Sequence, residues 1–269
     1  DVCSSDLTDN HRFWAVRRDG VNARYGFTEP SWISAQELDQ TCYVAIPKVT
    51  SIPETSVPII DVAKHAVARG YTVDVEGGDL LRTNTSAAQQ LYGFRTKSVR
   101  PAFKFGRSSH PVSTKIQVDD DLATFFGVWL GDGHLIVKNK PDGTFKIQGI
   151  GITVSTENTT LIEFCKNVIE TRLGQHASIH KMKSQNVTQV LCSSVPIGAV
   201  FYDLFGRTGF AGKRLPANAF TWPKHLVESL LVGLISSDGC ISSAGNISVQ
   251  MSNPDLLHDV YCLARQHGI

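Results

Sequence analysis

The stretch FFGVWLGDG, Phe125 to Gly133, recurs as LVGLISSDG, Leu231 to Gly239, 106 positions further on. In both copies small residues fall at i, i+4 and i+8: Ala123, Gly127 and Gly131 in the first, Ser229, Gly233 and Ser237 in the second. That spacing lines one face of a helix. The rest of the first copy is large and apolar, with Leu122, Phe125, Phe126, Trp129 and Leu130 at the i, i+3, i+4, i+7, i+8 positions of a buried helix. Bare stripes let two backbones approach closely, so the pattern predicts two helices packed stripe on stripe. Each stripe is followed by an acid, Asp132 or Asp238, and then by a glycine suited to the left-handed turn that ends a helix. Packing the stripes brings two carboxylates together at one end.

A carboxylate at a helix C-terminus meets the negative end of the macrodipole, and a second carboxylate beside it adds repulsion. Something positive is needed between them. A hard divalent cation with oxygen ligands, Mg²⁺ first and Mn²⁺ as its substitute, would neutralise both acids, polarise a phosphodiester and activate water. The alternative is that each acid merely caps a turn.

At these residues the chain resembles the LAGLIDADG homing endonucleases, in the single-chain form that carries two copies of the motif. The resemblance covers roughly the second half of the chain. It implies that the motif helices form the interface of a pseudo-two-fold duplicated αββαββα domain. It also implies that Asp132 and Asp238 bind the catalytic metals, with Gly131 and Ser237 beside them in the metal-binding set. The sixth motif position, which the family name writes as Asp, is Leu130 in one copy and Ser236 in the other. Before the second copy, GFAGKRLPANAF resembles the Lys-x-hydrophobic-Pro block of intein endonucleases, which implies that Lys213 reaches the active site to stabilise charge or orient water.

The fold class expected is therefore α+β, and the order of patterns supports a repeated unit. After Gly133 come HLIVK, a KPDG turn and TFKIQGIGITV, a long hairpin; then an amphipathic helix, ENTTLIEFCKNVIETRL; then a second hairpin, ASIHKMK and TQVLCSS; then a helix, VPIGAVFYDLF. The second copy begins the same way, with the hairpin CISSAGNISVQM and the helix NPDLLHDVYCLARQHG. Its second hairpin and last helix are not in this sequence, so the second half is expected to be incomplete. Asp119, Asp120 and Asp121 precede the first motif helix, where acids suit the positive end.

Net charge is +1, but its distribution is uneven. From Phe94 to Ile116 there are six Lys or Arg and no acid; from Thr171 to His225 there are seven against Asp203 alone. Local excess of this kind fits a polyanion-facing surface. A sheet packed on helices leaves its other face free, expected here to present His134, Lys138, Lys146, Gln148, Lys181, Lys183 and Gln189 to double-stranded DNA. Arg100, Lys104 and Arg107, at the basic end of the preceding segment, are expected on phosphates.

Residues 1–50 read as short strands and turns: HRFWAVRRDG, WISAQEL and CYVAIPKV. With Thr8, Asp9, Asn10 and His11 as a Thr-x-x-His block, followed by Trp32, Ala35, Leu38 and Pro47, this stretch resembles part of a mostly β, Hint-like intein splicing domain. The resemblance implies that Thr8 and His11 belong to the splicing block and that host exteins flank the chain. The starting nucleophile and the closing His-Asn pair are missing, so the chain is expected to be truncated at both ends and not to splice. Residues 51–117 read as a linker with a basic, DNA-contacting end, in which SAAQQLYGFRTKSVRP has the look of a helix-turn-helix start cut short by Pro101. Residues 118–269 are the endonuclease domain.

The 42% hydrophobic content is that of a globular protein with a core. The six cysteines show neither CxxC spacing nor paired His spacing, which fits reduced thiols in an intracellular protein, cytoplasmic or nuclear, and a monomer is expected. No apolar run reaches transmembrane length. The expected activity is site-specific double-strand cleavage of DNA by metal-assisted hydrolysis. Two other readings share the scaffold: a non-cleaving nucleic-acid binder such as a regulator or maturase, and a splicing element whose nuclease has decayed.

Overall fold

The computed structural model describes residues 9–18, 26–45, 57–68, 72–76, 80–84, 112–182, 186–206 and 212–269. The chain is α+β and divides into two compact units, residues 1–49 and 50–269.

In the first unit three strands, β1 (Arg12–Arg17), β2 (Ser31–Ser34) and β3 (Cys42–Val44), form an antiparallel sheet in the order β2-β1-β3. Alternation places Ala15 and Ile33 inside, while Trp14 pairs with Trp32 across the ladder with ring centroids 5.3 Å apart. Arg17 ties the sheet to the following turn through Asp39 at 2.6 Å. His11 is exposed, and its carbonyl accepts a bond from the Ala35 amide at 2.7 Å. Thr8 and Pro47 lie outside the described residues.

The second unit begins with β4 (Ile59–Asp61), α1 (Val62–Ala68), β5 (Thr72–Glu76), β6 (Leu80–Asn84), β7 (Val112–Ser113) and β8 (Lys115–Gln117). β4 pairs with β8, and β5, β6 and β7 form a sheet in that order. Ile60, Val62, Val112, Ile116 and Val118 are buried in one continuous core with the helices that follow. Arg100, Lys104, Arg107 and the SAAQQLYGFRTKSVRP stretch fall outside the described residues.

The first copy of the repeat is helix α2 (Asp120–Asp132). Asp119 caps it by accepting the Leu122 amide, and Asp120 and Asp121 occupy the first turn, where the positive helix end favours them. Arg172 ion-pairs with Asp119 and Asp121. Leu122, Phe125, Phe126, Trp129 and Leu130 are all buried. Their aromatic side meets α4 (Val195–Phe205): Phe126 lies 5.6 Å from Phe201 and 5.1 Å from Phe205, and Trp129 lies 5.1 and 5.4 Å from the same rings. Each such side chain contributes about 1.5–3 kcal/mol by leaving water.

After α2 come β9 (Gly133–Asn139), β10 (Phe145–Ser155), α3 (Thr159–Thr171), β11 (Ser178–Met182) and β12 (Val187–Cys192), giving an antiparallel sheet in the order β11-β12-β10-β9. The second copy is α5 (Lys224–Asp238), followed by β13 (Gly239–Ile241), β14 (Ile247–Val249) and α6 (Pro254–Gln266). Strand, strand, helix is thus the order after each stripe helix. Cys42, Cys165, Cys192, Cys240 and Cys262 are free thiols. Among the described residues no helix is long and apolar enough to cross a membrane.

The two stripes meet. A methyl on Gly127 would lie 2.0 Å from the Leu230 carbonyl oxygen and 2.6 Å from the Leu234 nitrogen; one on Gly233 would lie 1.9 Å from the Thr124 carbonyl oxygen. Backbone sits directly on backbone, and no side chain fits between. Higher up the pair, Ser229 donates to Asp120 at 3.0 Å. The two terminal glycines depart from expectation. Gly133 (φ −84°, ψ 159°) and Gly239 (φ −93°, ψ 161°) are extended, not left-handed, because each helix runs straight into a strand. Glycine is needed there for space: a Cβ on Gly133 would fall 2.3 Å from the Trp129 ring, and one on Gly239 would fall 2.5 Å from the Ile235 carbonyl oxygen.

Candidate metal centre

Because α2 and α5 pack in register, their C-terminal acids converge. A Cβ on Gly131 would lie 2.8 Å from Asp238 Oδ1 and 2.1 Å from Ser237 Oγ, which puts the end of one helix against the acid of the other. Burial pushes the Asp132 carboxyl up to about 6, with the charge of Asp238 adding to the rise and Lys213 opposing it. Burial raises the Asp238 carboxyl as well, against the pull of Lys213. Repulsion between the two is mutual, so the pair gives up its second proton reluctantly.

Lys213 lies between this pair and the helix end. It is 6% exposed, and its ammonium donates to the carbonyls of Trp129, Leu130 and Gly131 at 3.0, 2.9 and 3.0 Å. It also stands 5.1 Å from the centre of the Trp129 ring. All three carbonyls belong to the last turn of α2, where the Trp129 oxygen also accepts the Gly133 amide, and a cation there opposes the dipole. Burial lowers the ammonium to about 8, while Asp238 and Asp132 pull it back up. Lys213 thus lies beside both acids and lines the same cleft as Asp238. All of its protons are spent on the protein, so it is not a donor held ready for a phosphate. His134, next along β9, is lowered by burial and then by the Lys213 charge.

A cleft of about 280 Å³ opens here, lined among others by Gly131, Lys213, Asp238, Gln250 and Asn253. Gln250, Asn253 and the ion pair of Arg214 with Asp259 are parts of this neighbourhood that the sequence reading did not single out. The NP dipeptide at Asn253 signals a helix start, and Asn253 does cap α6 by accepting the Leu256 amide at 3.1 Å. Nothing in the sequence says that its Nδ2 reaches the Lys213 carbonyl at 2.8 Å.

The donor set suits a hard divalent cation: two carboxylates of raised proton affinity, Asp238 lining the cleft, with the Ser237 carbonyl at one helix end and the Gly131 carbonyl, which also accepts from Lys213, at the other. Among the described residues no group of three or more His, Cys, Asp or Glu side chains could hold a metal, so a cation would draw its remaining ligands from water or from a bound anion.

The sheet face near these acids follows from register. His134 stands opposite Gly151, Lys138 opposite Lys146, and Thr153 opposite Gln189, which in turn faces His180. Cross-strand partners share a face, so these residues line the side away from Leu135, Ile150 and Ile152. A bulge at Gln148, which is exposed, shifts the register. Lys181 is a correction. It pairs with Thr188, which pairs with Val154, and these two are buried, so Lys181 points to the opposite side from Lys138 and Lys146. Lys183 lies outside the described residues.

No protein-family model matches the chain. It is 28% identical over 157 residues to an iron–sulfur cluster assembly SufBD family protein of Mycobacterium leprae (strain TN), a match that takes in 55% of this chain and 16% of the relative's length. Among solved structures it is similar to the homing endonuclease I-DmoI in complex with DNA and Mn, at 16% identity and a TM-score of 0.43, over 56% of this chain and 78% of that one. The I-DmoI complex with DNA and Ca is similar at 16% identity and a TM-score of 0.39, over 54% and 71%.

Proposed function

We propose that this chain is the endonuclease-bearing part of an intein: a pseudo-two-fold LAGLIDADG-type enzyme that makes a site-specific double-strand break in DNA. The observation that carries the reading is the convergence of Asp132 and Asp238 at the ends of two helices whose stripes interlock. Two repelling, half-buried carboxylates are a costly arrangement for a protein that only binds nucleic acid, and an apt one for holding Mg²⁺ or Mn²⁺. Such a cation, held by Asp132 and Asp238 with the Gly131 and Ser237 carbonyls nearby, would neutralise a phosphodiester and activate water.

The chain's own residues supply the rest of the role. Lys138 stands directly across from Lys146, and like charges facing each other across a ladder are unfavourable unless an anion lies over them. A DNA phosphate is such an anion. With His134, Gln148, Thr153 and Gln189, the same ribbon offers donors and acceptors of the kind that read base edges. An intein setting fits the sequence match as well: a segment inserted in a longer host accounts for a nuclease-like chain matching 157 residues, 16% of the length, of a protein named for iron–sulfur cluster assembly. The Thr8 and His11 block at the start of the chain belongs to the same reading, with host exteins as its neighbours and a monomer as the working form.

The test is to incubate the chain in Mn²⁺ with a plasmid library carrying randomised inserts and to sequence the linear products. Enriched cut sites are expected for the unmodified chain and for neither Asp132→Asn nor Asp238→Asn. Cleavage that persisted in either variant would overturn the assignment of these acids.

A further inference from the structure

The Lys213 ammonium sits beside two carboxylates, yet its bonds go to three neutral carbonyls. A charge-assisted bond to a carboxylate is the stronger option, so a freely swinging lysine would settle on the acids. Its root is not free to move. Asn253 Nδ2 donates to the Lys213 carbonyl at 2.8 Å, and the Arg214 amide donates to the Phe205 carbonyl at 2.8 Å. The Arg214 guanidinium grips both oxygens of Asp259, at 2.7 and 2.8 Å, and the Leu215 amide donates to the same carboxylate at 3.3 Å. Asn253 and Asp259 are buried, and both belong to the start and middle of α6.

We propose that Asn253 and the Arg214–Asp259 pair are positioning residues of the carboxylate site. By pinning the backbone from Lys213 to Leu215 they hold the ammonium on the last carbonyls of α2, which keeps Asp132 and Asp238 open to a divalent cation. Loosened, the ammonium closes on the acids and competes with the cation for them. The proposal rests on the reading of these two acids as the cation's ligands.

Mn²⁺ is the probe, titrated into the full chain without DNA and followed by the loss of its paramagnetic resonance signal. Asp259→Asn and Arg214→Gln should each weaken binding by about tenfold, the scale of second-layer effects at metal sites. The two variants remove charges of opposite sign, so a through-space charge effect alone would move the affinity in opposite directions. Adding Lys213→Met to Asp259→Asn should return the affinity to within about threefold of the unmodified chain, because no ammonium remains to occupy the acids. Lys213→Gln serves the same purpose if Met at this buried position does not fold. Arg172→Met, which breaks an ion pair at the far end of α2, should lower thermal stability and leave Mn²⁺ binding unchanged. If Asp259→Asn and Arg214→Gln bind Mn²⁺ like the unmodified chain, or if removing Lys213 rescues nothing, the positioning role is wrong. If Mn²⁺ binding survives Asp132→Asn and Asp238→Asn, the ligand reading beneath it is wrong.

Discussion

A carboxyl that burial and a neighbouring acid hold at about 6 burdens the folded state wherever it is ionised. The unfolded chain titrates this group near 3.8, so the folded form keeps its proton the more tightly. Stability is untouched below the lower value, falls as pH rises from 3.8 to about 6, and stays reduced above it. The gap corresponds to at most about 3 kcal/mol. Asp132→Asn should therefore stabilise the chain by up to that amount near neutral pH in the presence of a chelator, and the gain should vanish toward about pH 4. Urea unfolding across that range measures it, and an Asn variant less stable than the parent near neutrality would contradict the assigned burden. The two acids stand out in the sequence because each follows a stripe of small residues and precedes a glycine, whereas Lys213 stands out only through its resemblance to a Lys-x-hydrophobic-Pro block. What the lysine bonds to was not legible there: its carbonyl partners lie 82 to 84 residues away, and Asp259, which grips the adjoining Arg214, lies 45 residues from it. Residue type says that a cation is present, whereas only packing says whether its protons are spent.

Gly127 and Gly233 govern the pairing of the two motif helices, because each faces backbone atoms that have no way to give. In an ordinary helix, Gly→Ala stabilises by about 0.5–1 kcal/mol. Here the added methyl must force α2 and α5 apart, an overpacking that costs about 1–3 kcal/mol. Gly127→Ala and Gly233→Ala should each unfold at lower denaturant than the parent, while Val232→Ala, at a position 56% exposed on the same helix, should stay within about 0.5 kcal/mol. Three indistinguishable midpoints would mean that the stripes do not bear on each other. At this scale the sequence served well, since helical and alternating periodicities marked α2 to α6 and the hairpins between them. It failed where one residue changes the count. Without the bulge at Gln148, Lys146 and Lys181 would share a face; the extra residue reverses the parity of one end of β10 and separates them. No composition signal announces that bulge, because it answers to the neighbouring strand.

Across the whole molecule, that reversal decides which lysines a duplex would meet. The face continuing from Asp132 through His134 carries Lys138 and Lys146 as a cross-strand pair, whereas Lys181 lies on the other side of the sheet. Affinity for DNA in the absence of a matched site comes from neutralised phosphates, and each one adds about 0.9 to the slope of log affinity against log salt. Replacing both Lys138 and Lys146 by Ala should flatten that slope by about 2 and weaken binding most at low salt. Lys181→Ala should change it by less than half a contact, about 0.4. Fluorescence anisotropy of a labelled random duplex over a sodium chloride series, with Ca²⁺ as the divalent ion, measures all three chains under one condition. The comparison also separates a specific face from a diffuse attraction. A net charge of +1 offers little general pull, and a diffuse field would respond to the loss of one lysine much as to the loss of any other. A slope for the Lys181 variant that falls by half or more of the double variant's drop would mean that the free sheet face is not where DNA lies.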